Sequence, residues 1–215
     1  LIVTGSQSNV RAAYSSGTPA IGVGAGNVTV IVDETADLDA AAFKIMKSKT
    51  FDHATSCSSE NALVVVDKIY DTFLEKLGDC GGRLLDEKEK QTLQDSLWVN
   101  GKLNRQMLAR DAEILCQMAD LKRIDSTETK FLMVEESGIG PDYPFSGEKL
   151  SPVLSVYRAS DFDDAQQTAL NILNHQGKGH SIGLHSSQEE RALKLGLEIP
   201  VCRVIVNQAP CFATG

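Results

Sequence analysis

The 215-residue sequence predicts an α/β fold with a mostly parallel sheet. Short apolar runs rich in β-branched residues recur along the chain, and segments with helical spacing of apolar residues separate them. This alternation of strands and helices is typical of parallel sheets with helical crossovers. Neither an internal repeat nor a low-complexity linker interrupts the pattern.

The first elements carry clear boundary signals. Residues 1–4 are predicted to be the end of a buried strand, and "GSQSNVRAAYSSG" a short helix with Ser6 or Ser8 as N-cap and Gly17 just past its end. A strand, "VTVIVDE", follows at 28–34. The helix predicted in "TADLDAAAFKIMKSKTF" has acidic residues in its first turn and lysines in its last, which favours both ends electrostatically.

The remaining elements continue the alternation. A strand at 60–68 is followed by a helix in "KIYDTFLEKLGDCGG" and by helices at 86–97 and 103–119. "KFLMVEE" and "LSPVLSVYRA" are strand-like, and "SDFDDAQQTALNILN" predicts a helix with a capping box of Ser160 and Asp163. A strand in "SIGLHS", a helix in "SQEERALKLG" and a strand in "CRVIVN" complete the series.

The composition excludes several classes of partner. With 29 acidic and 21 basic side chains and no basic cluster, the chain is not expected to bind nucleic acid or an anionic membrane surface. No apolar run approaches the roughly 20 residues that span a bilayer, and no signal segment is visible. The chain begins on "LIVTGS" and stops at "CFATG", so we expect an internal piece of a longer cytoplasmic protein.

A glycine-rich stretch, "AIGVGAGNVTVIVDE", looks at first like a dinucleotide-binding fingerprint. That fingerprint needs a strand before its glycines and a helix N-terminus after them, because the helix end binds the pyrophosphate. Here a helix precedes the glycines and a strand follows. The order therefore argues against a phosphate-binding loop at this position.

One of five cysteines is a candidate nucleophile. The cysteines have irregular spacing and no C-x-x-C pair, which predicts neither a disulfide framework nor a zinc site. Cys57 lies in the polar loop "SKTFDHATSCSSEN", where reactive side chains are common. Cys80, Cys116 and Cys202 lie in apolar surroundings and are interpreted as small buried hydrophobic residues.

Three blocks resemble the coenzyme A (CoA)-acylating branch of the aldehyde dehydrogenase superfamily: "VTGSQSNVRAAYSSGTPAIGVGAGN", "SKTFDHATSCSSEN" and "GEKLSPVLSVYRASDFDDA". The resemblance covers nearly the whole chain in the right order. It implies a catalytic domain at 23–215 preceded, at 1–22, by the tail of a Rossmann-like NAD(P)-binding domain. It further implies NAD or NADP as cofactor, CoA as co-substrate, no metal, and a homodimer or larger homo-oligomer, in which the strand "RVIVN" could take part.

The resemblance also assigns site residues. Cys57 matches the thiol that forms a thiohemiacetal and then a thioester, with its own backbone N–H as one oxyanion donor. Glu148 matches the carboxylate that binds the nicotinamide ribose hydroxyls, which suits two acceptor oxygens. Thr4, Gly5 and Ser6 match a strand-to-helix turn beside the cofactor.

A missing carboxylate predicts the fate of the thioester. Hydrolytic relatives carry a glutamate base at the position that falls on Gly22 or Val23, and no acid occurs between Arg11 and Asp33. Loss of a general base costs about 10²–10⁴-fold, so attack by CoA replaces attack by water in this hypothesis. His180, in the run "NHQGKGHSIGLHS" with His175 and His185, is the first candidate to orient or deprotonate the CoA thiol. His53 precedes Cys57 but is not favoured as base.

The substrate is predicted to be a short aldehyde, with sulfoacetaldehyde favoured by the look of the first two blocks and Arg11 a candidate partner for its sulfonate. Three alternatives stay open: a hydrolytic aldehyde dehydrogenase, a cysteine-dependent acyltransferase or hydrolase without redox chemistry, and a non-catalytic isolated domain. The preference for NAD or NADP cannot be predicted from these residues.

Overall fold

The computed structural model describes the backbone of residues 1–214 and the side chains of residues 1–212. It begins with a small unit in which strands β1 (Ile2–Thr4) and β2 (Ile21–Val23) pair in parallel around helix α1 (Gln7–Tyr14). Ser6 caps the helix by accepting the Asn9 N–H. β1 is largely exposed, so the prediction of a buried first strand is wrong for this chain.

The rest of the chain is built around one large sheet and a short hairpin. The further strands are β3 (Val28–Val32), β4 (Glu60–Val66), β5 (Gly82–Leu84), β6 (Trp98–Val99), β7 (Lys102–Leu103), β8 (Phe131–Glu135), β9 (Val153–Ala159), β10 (Gly179–His185) and β11 (Val201–Val206). The seven-stranded sheet has the order β11-β10-β3-β4-β9-β8-β5, and every neighbouring pair is parallel. The predicted α/β class with a mostly parallel sheet is confirmed.

Helices cover both faces of this sheet. They are α2 (Leu38–Thr50), α3 (Tyr70–Asp79), α4 (Glu87–Leu97), α5 (Ala112–Met118), α6 (Phe162–His175) and α7 (Glu189–Glu198). Alternate residues of β3 enter opposite cores: Val30 packs with α2 and α3, and Ile31 with α6 and α7. Because both faces are buried, the strands are continuous apolar runs rather than alternating ones. Within residues 1–214, no helix is long and apolar enough to cross a membrane.

Two predicted elements differ from the structure. The helix expected at 103–119 is confined to α5, because Asn100 and Gly101, at φ 52° and 70°, form the two-residue turn of the β6–β7 hairpin. The predicted pair of Ser160 and Asp163 does not cap α6, and the N-cap lies one residue later, at Asp161. Asp161 caps α6 by accepting the Asp164 N–H, and Asp164 accepts the Ser160 N–H in return.

The parallel arrangement also decides where functional residues can meet. Segments that precede β3, β4, β9, β10 and β11 all arrive at the same edge of the sheet, the amino edge. The glycine run, the Cys57 loop, the Glu148 turn and the start of β10 are among these segments. The small β1–β2 unit adjoins this edge, since it shares a cleft with these segments.

Candidate active site

A cleft of about 790 Å³ lies at the amino edge of the sheet. All six residues predicted for the site line it. They are Thr4, Gly5, Ser6, Cys57, Glu148 and His180. The structure therefore brings together residues that are separated by up to 176 positions in the chain.

Cys57 is exposed in a loop whose entry is strained. Asp52, His53 and Ala54 have φ of 47°, 51° and 59°, and non-glycine residues adopt this left-handed region at a cost of roughly 1–2 kcal/mol each. Thr55 holds the turn through its hydroxyl, which donates to the Asp52 carbonyl at 2.8 Å. Strain of this kind is concentrated at functional sites, where the surrounding structure maintains it.

His53 is not part of the cleft lining. Its Nδ1 lies 3.0 Å from Asp111 Oδ1, and both side chains are exposed. The structure therefore agrees with the sequence argument that did not favour His53 as base.

The glycine run packs against the Cys57 loop and helix α1. A Cβ on residue 26 would lie 2.3 Å from the Cys57 carbonyl oxygen, so only glycine permits this approach. A Cβ on Gly22 would instead meet Val10 at 2.6 Å, and one on Gly24 would meet Gln7 at 2.5 Å. Gly22 therefore points at α1 rather than into the cleft, and Val23 is the member of the predicted pair that lines the cleft.

The Cys57 backbone N–H donates to no group among the described residues. The β1–α1 turn offers further donors, because helix N-termini carry free N–H groups. Gly5, at φ 131°, makes this turn in a conformation that favours glycine. The cleft therefore presents N–H groups at Cys57 and at the start of α1.

Glu148 is half-buried and is the only carboxylate that lines the cleft within residues 1–212. Burial raises its pKa to about 7, while the charges of Lys149 and Lys49 oppose that rise. Its backbone N–H donates to Gln176 Oε1 at 3.0 Å, and the Asn27 side-chain amide donates to the Gln176 carbonyl at 3.2 Å. Hydrogen bonds of Gln176 and Asn27 thus fix the turn that carries Glu148.

Of the three histidines in the glycine–histidine run, only His180 lines the cleft. Burial and then the Arg203 charge lower its pKa, which leaves a neutral imidazole near pH 7. Its Nδ1 is buried and has no hydrogen-bond partner among the described residues. His185 is buried with a pKa of about 4, and His175 is exposed at the end of α6.

The structure adds two residues that the sequence interpretation missed. Cys202, expected to be a buried hydrophobic residue, is exposed, lines the cleft, and donates its thiol proton to the His180 carbonyl. Arg203 is the only lysine or arginine that lines the cleft among the described residues, whereas the predicted Arg11 lies outside it on α1. The register of β11 beside β10 could have indicated this, since Arg203 pairs with Ser181 next to His180. No group of three or more metal-ligating side chains is found in the described part of the chain.

Comparisons with known proteins show that the chain is similar to aldehyde dehydrogenases. The profile of the aldehyde dehydrogenase family matches residues 2–85. The chain is 54% identical over its full length to the sulfoacetaldehyde dehydrogenase (acylating) of Cupriavidus necator, of which it covers 44%. It is 39% identical over 210 residues to a bifunctional aldehyde-alcohol dehydrogenase of Escherichia coli, covering 96% of this chain and 23% of that protein. The chain thus spans less than half the length of these relatives.

Solved structures agree with these relatives. An acetylating aldehyde dehydrogenase from Geobacillus thermoglucosidasius matches with a TM-score of 0.93 and 37% identity, over 98% of this chain and 46% of that one. A propionaldehyde dehydrogenase from Rhodopseudomonas palustris, with bound propionyl-CoA, matches with a TM-score of 0.87 and 28% identity, over 100% of this chain and 47% of that one. An engineered glycolyl-CoA reductase with bound NADP⁺ matches with a TM-score of 0.87 and 28% identity, over 98% of this chain and 47% of that one.

Proposed function

Because the chain belongs to the aldehyde dehydrogenase superfamily and matches its acylating members along its whole length, we propose that the protein oxidises a short aldehyde to an acyl-CoA with NAD or NADP. One observation supports this most directly. An exposed Cys57 shares its cleft with a single carboxylate, and that carboxylate is Glu148 rather than a residue of the glycine run.

The first step is nucleophilic. The Cys57 thiolate attacks the aldehyde carbon, a C–S bond forms, and the carbonyl oxygen becomes an oxyanion. The Cys57 backbone N–H, which has no acceptor within the part of the chain that the structure describes, donates to that oxyanion and stabilises it. The product is a thiohemiacetal on Cys57.

The cleft fits a nicotinamide cofactor. Ionised Glu148 would accept hydrogen bonds from the ribose hydroxyls, and Thr4, Gly5 and Ser6 would bind the cofactor at the N-terminus of α1, where an anion is favoured. When bound, a nicotinamide would supply a hydride acceptor, so that the thiohemiacetal oxyanion could lose hydride from its carbon and form the C=O of a thioester on Cys57. Whether NAD or NADP is preferred is left to experiment.

The second step is release by a thiol. No general base for water lies at residues 20–28, and Gly22 faces α1, so hydrolysis of the thioester is slow. His180 accepts the proton of the CoA thiol, because its imidazole is neutral and the residue lines the cleft. The CoA sulfur then forms the new C–S bond, and Cys57 leaves as a thiolate.

The substrate we propose is sulfoacetaldehyde, the substrate in the name of the Cupriavidus necator relative. Arg203 is the residue that would bind its sulfonate, because guanidinium groups form paired hydrogen bonds with such oxygens. β11 lies three strand spacings from β4, or about 14 Å, a gap that an extended arginine and a two-carbon substrate bridge together.

The test is an assay of the protein expressed from its complete gene, with sulfoacetaldehyde or propionaldehyde, with and without CoA. We expect NAD(P) reduction at a steady rate only with CoA, and a preference for sulfoacetaldehyde that R203Q abolishes while propionaldehyde turnover stays within about 3-fold. Undiminished steady turnover without CoA indicates a hydrolytic enzyme. Acyl transfer to CoA without NAD(P) reduction indicates an acyltransferase, and inertness a non-catalytic domain.

The proposal also covers the domain boundary, the oligomeric state and the cellular location of the protein. The separate β1–β2 sheet supports a boundary near residue 22 between the tail of a nucleotide-binding domain and the catalytic domain. β11 is an edge strand and could join a homodimer or larger homo-oligomer. The odd number and irregular spacing of the five cysteines support a reducing compartment, which we propose is the cytoplasm.

A further inference from the structure

Two lysines are fully buried behind the cleft. Lys49 lies near the end of α2, and Lys149 directly follows Glu148. Lysine is almost never fully buried unless it has partners, because an ammonium group loses its hydration. Burial accordingly lowers the pKa of Lys49 to about 7 and that of Lys149 well below its usual range. Because burying two lysines costs free energy, a structural or functional role is expected to maintain them.

Lys49 holds the strand that follows the nucleophile. Its Nζ donates to the carbonyl of Glu60 at 2.7 Å, and Glu60 is three residues after Cys57. The Glu60 carboxyl is also fully buried, which raises its pKa to about 7. Lys49 thereby fixes the first residue of β4, on which the strained Cys57 loop ends.

Lys149 holds the turn that carries Glu148. Its Nζ donates to the carbonyls of Phe145 and Gly147 at 2.7 and 2.9 Å, and Gly147 is the residue before Glu148. Its backbone N–H donates to Asn61 Oδ1 at 3.0 Å, and Asn61 lies on β4 four residues after Cys57. The Glu148 turn is therefore tied to the same strand that Lys49 holds.

We propose that Lys49 and Lys149 are positioning residues, with Lys49 placing the Cys57 thiol and Lys149 placing the Glu148 carboxylate. Neither lysine lines the cleft, so each acts through the backbone that it holds. Catalysis in the proposed function needs the thiol and the cofactor-binding carboxylate in a fixed relation, and misplacement by about 1 Å costs about 10²-fold. The inference rests on the proposed function.

The experiment replaces each buried lysine by methionine, which removes the terminal amine with little change in side-chain volume. In the protein from the complete gene, K149M is expected to weaken NAD(P)H binding at least about 10-fold, while alkylation of Cys57 by iodoacetamide stays within about 2-fold of wild type. K49M is expected to do the opposite, slowing alkylation and kcat at least about 10-fold with NAD(P)H binding within about 3-fold. K122M, which changes an exposed lysine, is the matched control and leaves both unchanged.

The conservative variants K149Q and K49Q keep an N–H donor and are expected to restore part of each loss, which tests the idea if a methionine variant does not fold. Equal losses of binding and alkylation at both positions, or a lower Tm alone, would show a merely structural role and overturn the inference. Failure of the proposed function is seen separately, as wild-type protein without CoA-dependent NAD(P) reduction. Nucleotide binding and alkylation are read without turnover.

Discussion

The two edges of the seven-stranded sheet differ in the partners of their charged side chains. At the carboxyl edge, Arg158 pairs with Asp67 and Asp71 at 2.7 Å each, and all three side chains are well exposed. At the amino edge, the fully buried Lys49 and Lys149 donate to backbone carbonyls, and a strained loop carries the proposed nucleophile. Exposed pairs contribute little to stability, whereas buried charges and left-handed turns persist only where the structure maintains them.

This difference supports the proposed site at the amino edge. In open parallel sheets, ligands usually bind beyond the carboxyl ends of the strands. Here Cys57, Glu148 and His180 all meet at the amino edge. The buried lysines and the left-handed loop therefore support a site at the edge opposite to the one that the general rule of topology predicts.

The strongest test of the amino edge is the nucleophile. We expect C57A to lower kcat about 10⁶-fold, because removal of a nucleophile leaves only binding and oxyanion stabilisation. Steady-state NAD(P) reduction with sulfoacetaldehyde and CoA measures it. C202A is the control, since Cys202 lines the same cleft and has no step in the mechanism. Loss of activity in C202A with retention in C57A would assign the thiol to β11.

The next largest effect is expected at the proposed base. H180Q should slow the CoA-dependent step about 10²–10⁴-fold and leave the first release of NAD(P)H intact, because only the second step needs the imidazole. A single-turnover measurement with and without CoA separates the two steps. H175Q is the matched control on the exposed end of α6. A slowed first step in H180Q would assign His180 to aldehyde attack instead.

Glu148 should produce a smaller, cofactor-specific effect. E148Q is expected to raise KM for NAD(P) about 10–100-fold, because a hydrogen bond to a charged acceptor contributes about 1.5–3 kcal/mol. The pKa of Glu148 is raised to about 7, so cofactor affinity in the wild type should rise with pH through that value as the carboxylate ionises. E148Q should show no such rise. An unchanged pH profile would contradict a ribose-binding role.

Substitution at the carboxyl edge is expected to have the smallest effect on stability and activity. R158M breaks both exposed ion pairs and the stacking of Arg158 on Tyr70, where the guanidinium lies 3.9 Å from the ring centre. We expect the free energy of unfolding to fall by only about 0.5–1 kcal/mol, with kcat and KM unchanged. Urea unfolding and steady-state kinetics measure both. A loss of activity here would mean that the two edges are not functionally distinct.

Part of the fold could be predicted because its signals are local. β-branched runs, the Ser6 cap and the alternation of elements predicted the sheet and most helices. The β6–β7 hairpin was not predicted although Asn100 and Gly101 are a strong turn signal, because each of its strands is only two residues long. The N-cap of α6 was misplaced by one residue, because Ser160 and Asp161 are both good caps.

The site was predicted only in part. The polar loop around Cys57 indicated a reactive residue, and the resemblance of three blocks supplied Glu148 and His180. Cys202 and Arg203 were missed because a strand's sequence does not show which of its ends opens into a cleft. Arg11 was wrong for the converse reason, since its helix turns it away from the cleft.

By itself, the sequence determined the α/β class, the candidate thiol and the absence of an acid between Arg11 and Asp33. Those properties depend on residue type and short-range spacing. Only the tertiary structure decided that the amino edge forms the cleft, that Gly22 faces α1, and that Lys49 and Lys149 are buried beneath it. Burial and strand order depend on contacts between residues far apart in the chain, and these form only when the sheet assembles.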